Sequence, residues 1–217
     1  MSMDYPFLLR IIETLSAGLQ TTILLSVLAI TLSALWAVPL VVGLLAKSRL
    51  LRAVVTAYIE VVRNTPVLVQ MFFIFFGSGS LGYPLSGFAT GLLAMVLQNG
   101  AYMAEIYRGG IQSVPLRQTE AGLAIGFTPT RAFRIVVLPQ AIRKVIPPLA
   151  NQGVLIIKDT SLVATISVAE ITFHARMMAD RTAAVFEIFL VLAALYIVLT
   201  AIFSGGMRLV ERQLRIR

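Results

Sequence analysis

Thr14 to Ala46 reads TLSAGLQTTILLSVLAITLSALWAVPLVVGLLA, and no residue in it is charged. A bilayer crossing needs about 20 apolar residues, so this stretch predicts a membrane helix with length to spare. Asn64 to Ala104 is also free of charge and is long enough to cross twice. Lipid is therefore the solvent for most of the chain.

The composition agrees. The 217 residues are 58% hydrophobic and 13% charged, with no cysteine, which is too apolar for a water-soluble domain. The formal charge of +8 would point to nucleic acid in a soluble protein. Here the basic residues sit in short segments between apolar runs, so they read as topology markers and no nucleic-acid partner is expected. Absence of cysteine excludes disulfides and thiolate metal sites. Asp4, Arg10 and Glu13 precede an apolar run too long for a secretory signal, so the first helix is expected to be retained.

Five spans follow. The first covers about Leu15 to Ala46 and ends at Lys47, Arg49 and Arg52. The second runs up to about Phe76, before the turn-forming stretch GSGSLGYP from Gly77 to Pro84. A third covers about Ser86 to Ile106, a fourth starts near Val145, and a fifth covers about Ala183 to Met207, followed by Arg208, Arg212, Arg215 and Arg217. Lys and Arg are rich after the first, third and fifth spans, absent after the second and balanced by acids after the fourth. The positive-inside rule then predicts an all-α membrane protein with its N-terminus outside and its C-terminus cytoplasmic. Residues 1–217 read as one membrane domain with a cytoplasmic loop over about 109–139.

Two local features refine this map. Asn64-Thr65-Pro66 reads as a cap followed by proline at a first helical position, predicting a short helix, a break and a new helix. Glu60 with Arg63, and Glu105 with Arg108, are spaced i, i+3 and are expected to pair on their helix faces.

The loop from Ile111 to Pro139 is IQSVPLRQTEAGLAIGFTPTRAFRIVVLP, cut by Pro115, Gly126, Pro129 and Pro139. Its first piece predicts a helix over about Arg117 to Ile125, and Thr128-Pro129 predicts the cap and start of a second. Small residues Ala121, Gly122 and Ala124 permit close approach of another surface, while Leu123, Ile125 and Phe127 offer apolar anchors. On spacing alone, a connector lying on the membrane, held by Arg131 and Arg134 near anionic lipid, fits equally.

A resemblance weighs between these readings. Glu120-Ala121-Gly122, three residues, Gly126, nine residues, then Val136 and Leu138-Pro139 is similar to the signature loop of binding-protein-dependent ABC permeases, departing at Gly122 for alanine and Val136 for isoleucine. YIEVVRNTPVLVQMFFIFFG (Tyr58 to Gly77), AYMAEIYRGGIQSVP (Ala101 to Pro115), LPQAIRKVIPPLANQ (Leu138 to Gln152) and IKDTSLVATISVAEI (Ile157 to Ile171) resemble the polar amino acid permeases of histidine, glutamine, glutamate and arginine type. The resemblance implies the type I ABC importer permease fold in a bacterial inner membrane. It also implies a dimer with an identical or related second permease subunit, two ATP-binding subunits, and an extracytoplasmic amino-acid-binding protein. Glu120, Ala121, Gly122, Leu123, Ala124, Ile125, Gly126, Leu138 and Pro139 would then form the ATPase-coupling surface. The cargo is expected to be a polar amino acid, with a slight preference for glutamate or aspartate.

The chain itself has no expected catalytic residue, cofactor or metal. A P-loop needs glycines leading into lysine, and none of Lys47, Lys144 and Lys158 follows a glycine. ATP and Mg would sit on the partner ATPase. A secondary carrier should show repeat symmetry and several intramembrane acids, and neither is visible. A channel is left with only the uncharged Gly77 to Pro84 turn as a filter.

Between Val145 and Ile171 the only charges are Lys158, Asp159 and Glu170. At about 1.5 Å per residue, Lys158 lies some 20 Å beyond Lys144, and a charge there is costly enough to suggest a transport site. Asp159-Thr160-Ser161 has the composition of an N-cap, so a half-helix starting there would aim N–H groups at a substrate carboxylate. Asn151, Gln152, Gln70, Gln98 and Asn99 are candidates to line the same path. The competing reading is structural: the charges pair or cap, and the amides bind helix to helix. His174, the sole histidine, is expected to be exposed.

Overall fold

The computed structural model describes residues 5–214, and throughout them the regular structure is helical. The expectations resting on Asp4, Arg215 and Arg217 lie outside the described residues. In chain order the helices are α1 (Tyr5–Ser16), α2 (Leu19–Leu44), α3 (Arg49–Arg63), α4 (Val67–Ser80), α5 (Gly87–Gln112), α6 (Leu116–Ala124), α7 (Pro129–Ala132), α8 (Leu138–Asp159), α9 (Ile171–Thr182) and α10 (Val185–Leu214). A π turn, Phe133–Val137, joins α7 to α8, and a 3-10 segment, Thr160–Ile166, follows α8.

By length and composition two helices, α2 and α10, are able to cross a membrane, or three spans if the bent pair α3 and α4 counts as one. α5 and α8 are diluted by polar residues: Gln98, Asn99, Glu105 and Arg108 on one, Arg143, Lys144, Asn151, Gln152, Lys158 and Asp159 on the other. Of these, Gln98, Asn99 and Gln152 are buried against protein, Glu105, Arg108 and Asp159 are half-buried, and Arg143, Lys144, Asn151 and Lys158 are exposed. α2 and α5 run in the same direction, with Gly100 against Trp36 and Leu45 near Ile111. α8 and the 3-10 segment after it run back along α5, pairing Val145 with Gly110 and Val163 with Gly91. The principal core lies between these helices and includes Leu25, Ala29, Leu40, Met95, Met103, Ile156 and Val163.

The first span departs from expectation. The apolar run does not make one helix from Leu15, because the chain breaks after Ser16 and α2 begins at Leu19. Gly18 explains the break: a Cβ there would lie 2.4 Å from the carbonyl carbon of Glu170, so the junction is packed on another backbone. α1 turns aside and buries Ile11 and Leu15 against Ile171, Ala175, Met178 and Ile188 in a second core.

The break expected near Asn64 to Pro66 is present, with α3 and α4 at 99° to each other. Its chemistry differs in one detail. Asn64 ends α3, donating Nδ2 to the Glu60 carbonyl at 2.8 Å, and Pro66 takes the cap position of α4, whose first residue is Val67. With 14 residues, α4 is about 21 Å long, short of the roughly 30 Å hydrocarbon core. Glu60 and Arg63 do not form the expected pair. Arg63 instead lies over the Tyr102 ring, 4.8 Å from its centroid. Glu105 and Arg108 do pair, at 2.5 Å.

At the fourth span, the expected N-cap at Asp159 is absent. Asp159 has helical φ and ψ and caps nothing, and α8 tightens into the 3-10 segment until Ser167, at φ 64°, ends it. The cap falls eleven residues later, at Glu170, whose Oε1 accepts from Phe173 N at 2.7 Å to start α9. The 3-10 segment persists because Gly87 and Gly91 of α5 let it pack close, a Cβ at Gly87 falling 2.5 Å from the Ile166 carbonyl oxygen.

Candidate functional sites: the coupling loop and the polar interior

Pro115 caps α6 and Leu116 to Ala124 form it, one residue earlier than the expected helix. Its end is a Schellman turn: Gly126 N donates to Leu123 O at 3.0 Å and Phe127 N to Gly122 O at 3.1 Å. Gly126 has φ +87° with nothing within 4 Å of a would-be Cβ. Backbone conformation, not space, therefore demands glycine there.

Thr128 Oγ1 then accepts from Arg131 N at 3.4 Å, with Pro129 at the first position of α7. From Pro129 to Asp159 the helical backbone is continuous, which the expected cut at Pro139 did not anticipate. The π turn reconciles the two. Leu138 N donates to Phe133 O, and the widened turn accommodates Pro139, which has no N–H for the carbonyl four residues back.

The small residues of the loop divide their work. Gly122 is buried, and a Cβ there would lie 3.2 Å from Ala132 Cβ, so the close approach it permits is to α7 of the same chain. Glu120, Ala121 and Ala124 are exposed, as are Leu116 at 70%, Leu123 at 43% and Ile125 at 72%. The outward side chains of this piece thus combine one acid, Glu120, with the apolar Leu116, Leu123 and Ile125. The loop is pinned underneath: Val114, Val137 and Ala141 form a small core, Lys144 Nζ donates to Ser113 O at 2.5 Å, and Gln140 Nε2 donates to Val136 O at 2.8 Å. Leu138 is half-buried and Pro139 exposed.

The interior amides fall into two groups. Gln98 Nε2 donates to Thr65 O at 2.8 Å, and Gln70 Nε2 donates to Val62 O at 2.8 Å and Thr65 O at 3.0 Å. Both serve carbonyls that the bend between α3 and α4 leaves without helical donors. Deeper, Gln152 Nε2 donates to Asn99 Oδ1 at 2.7 Å, tying α8 to α5. Asn151, one residue earlier, is exposed.

Lys158 is exposed and Asp159 half-buried, and no ion pair joins them. Thr160 is fully buried and donates to Ile157 O at 2.7 Å, while Ser161 Oγ donates to Lys158 O at 2.7 Å. Thus Lys158 and Asp159 stay available where Thr160 and Ser161 are committed to backbone. His174 is half-buried, edge-on to Phe173.

Two features have no counterpart in the sequence reading. Trp36 Nε1 donates to Tyr58 Oη at 3.0 Å, which donates to Leu97 O at 3.0 Å, joining α2, α3 and α5. Glu170, fully buried, accepts from Tyr196 Oη at 3.0 Å besides capping α9. The signal for it was Glu170 itself, an acid opening a helical pattern.

Comparison with known proteins agrees with this architecture. Residues 29–216 match the family described as "Binding-protein-dependent transport system inner membrane component". The chain is 35% identical over 219 residues to the nopaline transport system permease protein of Agrobacterium fabrum, covering 96% of this chain and 91% of that one. It is 34% identical over 224 residues to the glutamine transport system permease protein of Escherichia coli K12, covering all of both. A crystal structure of an amino acid ABC transporter with histidines superposes with a TM-score of 0.92 at 33% identity, over 98% of this chain and all of that one. A methionine ABC transporter in an inward-facing conformation shares the fold, with a TM-score of 0.82 at 14% identity.

Proposed function

The chain belongs to the family of binding-protein-dependent transport system inner membrane components, and from that premise we propose that it is the permease subunit through which an ATP-driven importer passes a polar amino acid. The observation that carries the reading is the α6 surface. Glu120, Leu123 and Ile125 face outward on a helix whose geometry is fixed by its own Schellman turn and core. That surface docks an ATPase subunit, with ATP and Mg bound there and none by this chain. Two ATPases, a second permease subunit and an extracytoplasmic binding protein complete the complex.

In this reading the membrane holds five spans: α2, the bent α3 and α4, α5, α8 with its 3-10 extension, and α10. The N-terminus lies outside and the coupling loop and C-terminus in the cytoplasm. ATP-driven closure moves two α6 helices together, and the unbroken helix from Pro129 to Asp159 carries that motion to the interior, a two-state element biased from both ends. Asp159 receives the substrate ammonium and Lys158 its carboxylate. Glutamine and nopaline transport are named for the relatives. For this chain the finer reading is glutamate or aspartate.

The test is a reconstituted complex in proteoliposomes. Substrate-loaded binding protein should stimulate ATP hydrolysis and uptake together, and uptake that continues without the ATPase subunit overturns the proposal. Competition by unlabelled glutamate, aspartate, glutamine and arginine decides the cargo. Glutamine outcompeting both acids sinks the acidic preference alone.

A further inference from the structure

Two adjoining cavities lie at the coupling-loop end of α2, apart from the α6 surface and from Lys158 and Asp159. One is a polar cleft of about 580 Å³ between α3 and the last turns of α5, lined by Arg52, Thr56, Glu60, Arg63, Glu105 and Arg108. The other is an apolar cavity of about 450 Å³ running from α2 and α5 to the π turn, lined among others by Val41, Tyr107, Ile111, Phe133 and Ile142. Leu45, the residue that ends α2, lines both.

The charges of the cleft do not cancel. Arg108 is engaged by Glu105 through Nε at 2.9 Å and Nη2 at 2.5 Å, which leaves Arg52 and Arg63 against Glu60 alone. Among the described residues the Arg52 guanidinium has no hydrogen-bond or ion-pair partner, and Arg63 stacks its guanidinium on Tyr102 with its donors unspent.

α3 itself has the build of a helix at a lipid surface. Arg52, Thr56, Glu60 and Arg63 form one stripe, Val55 and Ile59 turn to the core, and Leu50, Val54 and Val61 are exposed at 76%, 58% and 66% on the far face. Such a helix lies in the interface plane with its apolar stripe in the acyl boundary and its cations at headgroup level.

We propose that these cavities hold one anionic phospholipid, its phosphate at Arg52 and Arg63 and one acyl chain in the apolar cavity behind Leu45. The polar cleft supplies surplus positive charge, and the adjoining cavity supplies a dry slot for a chain. A soluble anion has no use for the second, and a neutral lipid none for the first. Because the acyl slot is walled by Phe133 and Ile142, the lipid braces the root of the coupling loop.

The experiment uses the full chain in neutral detergent. Thermal unfolding is followed on titrating short-chain phosphatidylglycerol, phosphatidylcholine of the same chain length, or glycerol phosphate alone, with native mass spectrometry of the retained lipid. Phosphatidylglycerol should stabilise the protein and be retained one per chain, phosphatidylcholine and glycerol phosphate should not, and the effect should weaken with salt. Arg52→Gln should weaken the apparent affinity about fivefold, Arg52→Lys should largely keep it, and Leu45→Trp, which leaves every charge in place, should also reduce it. Equal stabilisation by the two lipids, an equal effect of glycerol phosphate, or unchanged affinity in both Arg52→Gln and Leu45→Trp overturns the proposal. So does loss of retained lipid whenever the ATPase subunit is bound, since the cleft would then be a protein contact.

Discussion

Gln152 donates its side-chain amide to Asn99 Oδ1 at 2.7 Å, with both residues buried and fifty-three positions apart. Asn99 Nδ2 is in turn spent on Met95 O at 2.9 Å, so the pair is closed and offers little to a passing substrate. Its work is to clasp α8 to α5. Asn99→Leu strands a buried donor on Gln152, at a cost of about 1–3 kcal/mol. The double variant, with leucine at both positions, should cost less than the sum of the two singles. Thermal unfolding of the four proteins in one detergent measures this cycle, and strict additivity would assign the two amides separate roles.

Gly126 is the position where the proposed coupling loop is least tolerant. Its φ of +87° costs a side-chain-bearing residue about 1–2 kcal/mol, while asparagine enters that region more easily. Gly126→Val should therefore unmake the end of α6 and lose the ATPase subunit from affinity-purified complexes, and Gly126→Asn should retain it. Gly122→Val tests a different cause, steric contact with Ala132, and should fail even though its backbone is ordinary. Retention of the ATPase in both valine variants would break the link between loop geometry and docking.

What the sequence disclosed depended on whether the cause was local. The elbow at Asn64 to Pro66 and the cap at Thr128 are written in neighbouring residues, so composition sufficed. The break at Gly18 is not, because its cause is the backbone of Glu170, which packs there from about 150 positions away. Asp159-Thr160-Ser161 misled for the reverse reason. It has the residues of a cap, but the glycines of α5 hold that segment in a continuing 3-10 helix. Gln70 and Gln98 were legible as interior amides, while their acceptors became visible only with the 99° bend.

Glu170 makes the opposite end of the bundle equally testable. It caps α9, accepts from Tyr196, and presents its backbone to Gly18. Gly18→Ala forces a methyl to 2.4 Å from a carbonyl carbon and should cost about 1–3 kcal/mol as overpacking. Tyr196→Phe removes one hydrogen bond to a buried carboxylate and should be milder than Glu170→Ala, which removes the cap as well. Limited proteolysis between α1 and α2 should follow the same order, and protection unchanged in Gly18→Ala would show that the junction relaxes at no cost.

Lys158 and Asp159 separate the transport reading from the structural one most sharply. Their side chains carry no mutual ion pair, and the exposure of Lys158 contrasts with the full burial of Thr160 beside it. A structural pair would lose stability when either charge is removed, whereas a substrate contact loses affinity at constant stability. Asp159→Asn keeps the shape and deletes the charge. A charge-assisted hydrogen bond to the substrate ammonium, worth about 1.5–3 kcal/mol, then predicts a rise in uptake KM of at least about tenfold. Unfolding temperature and ATPase copurification should stay unchanged. Lys158→Ala should act on the same parameter and less strongly, since an exposed ammonium is partly screened by water. Uptake kinetics indifferent to both substitutions would remove these residues from the path, and lowered unfolding temperatures would return them to the framework.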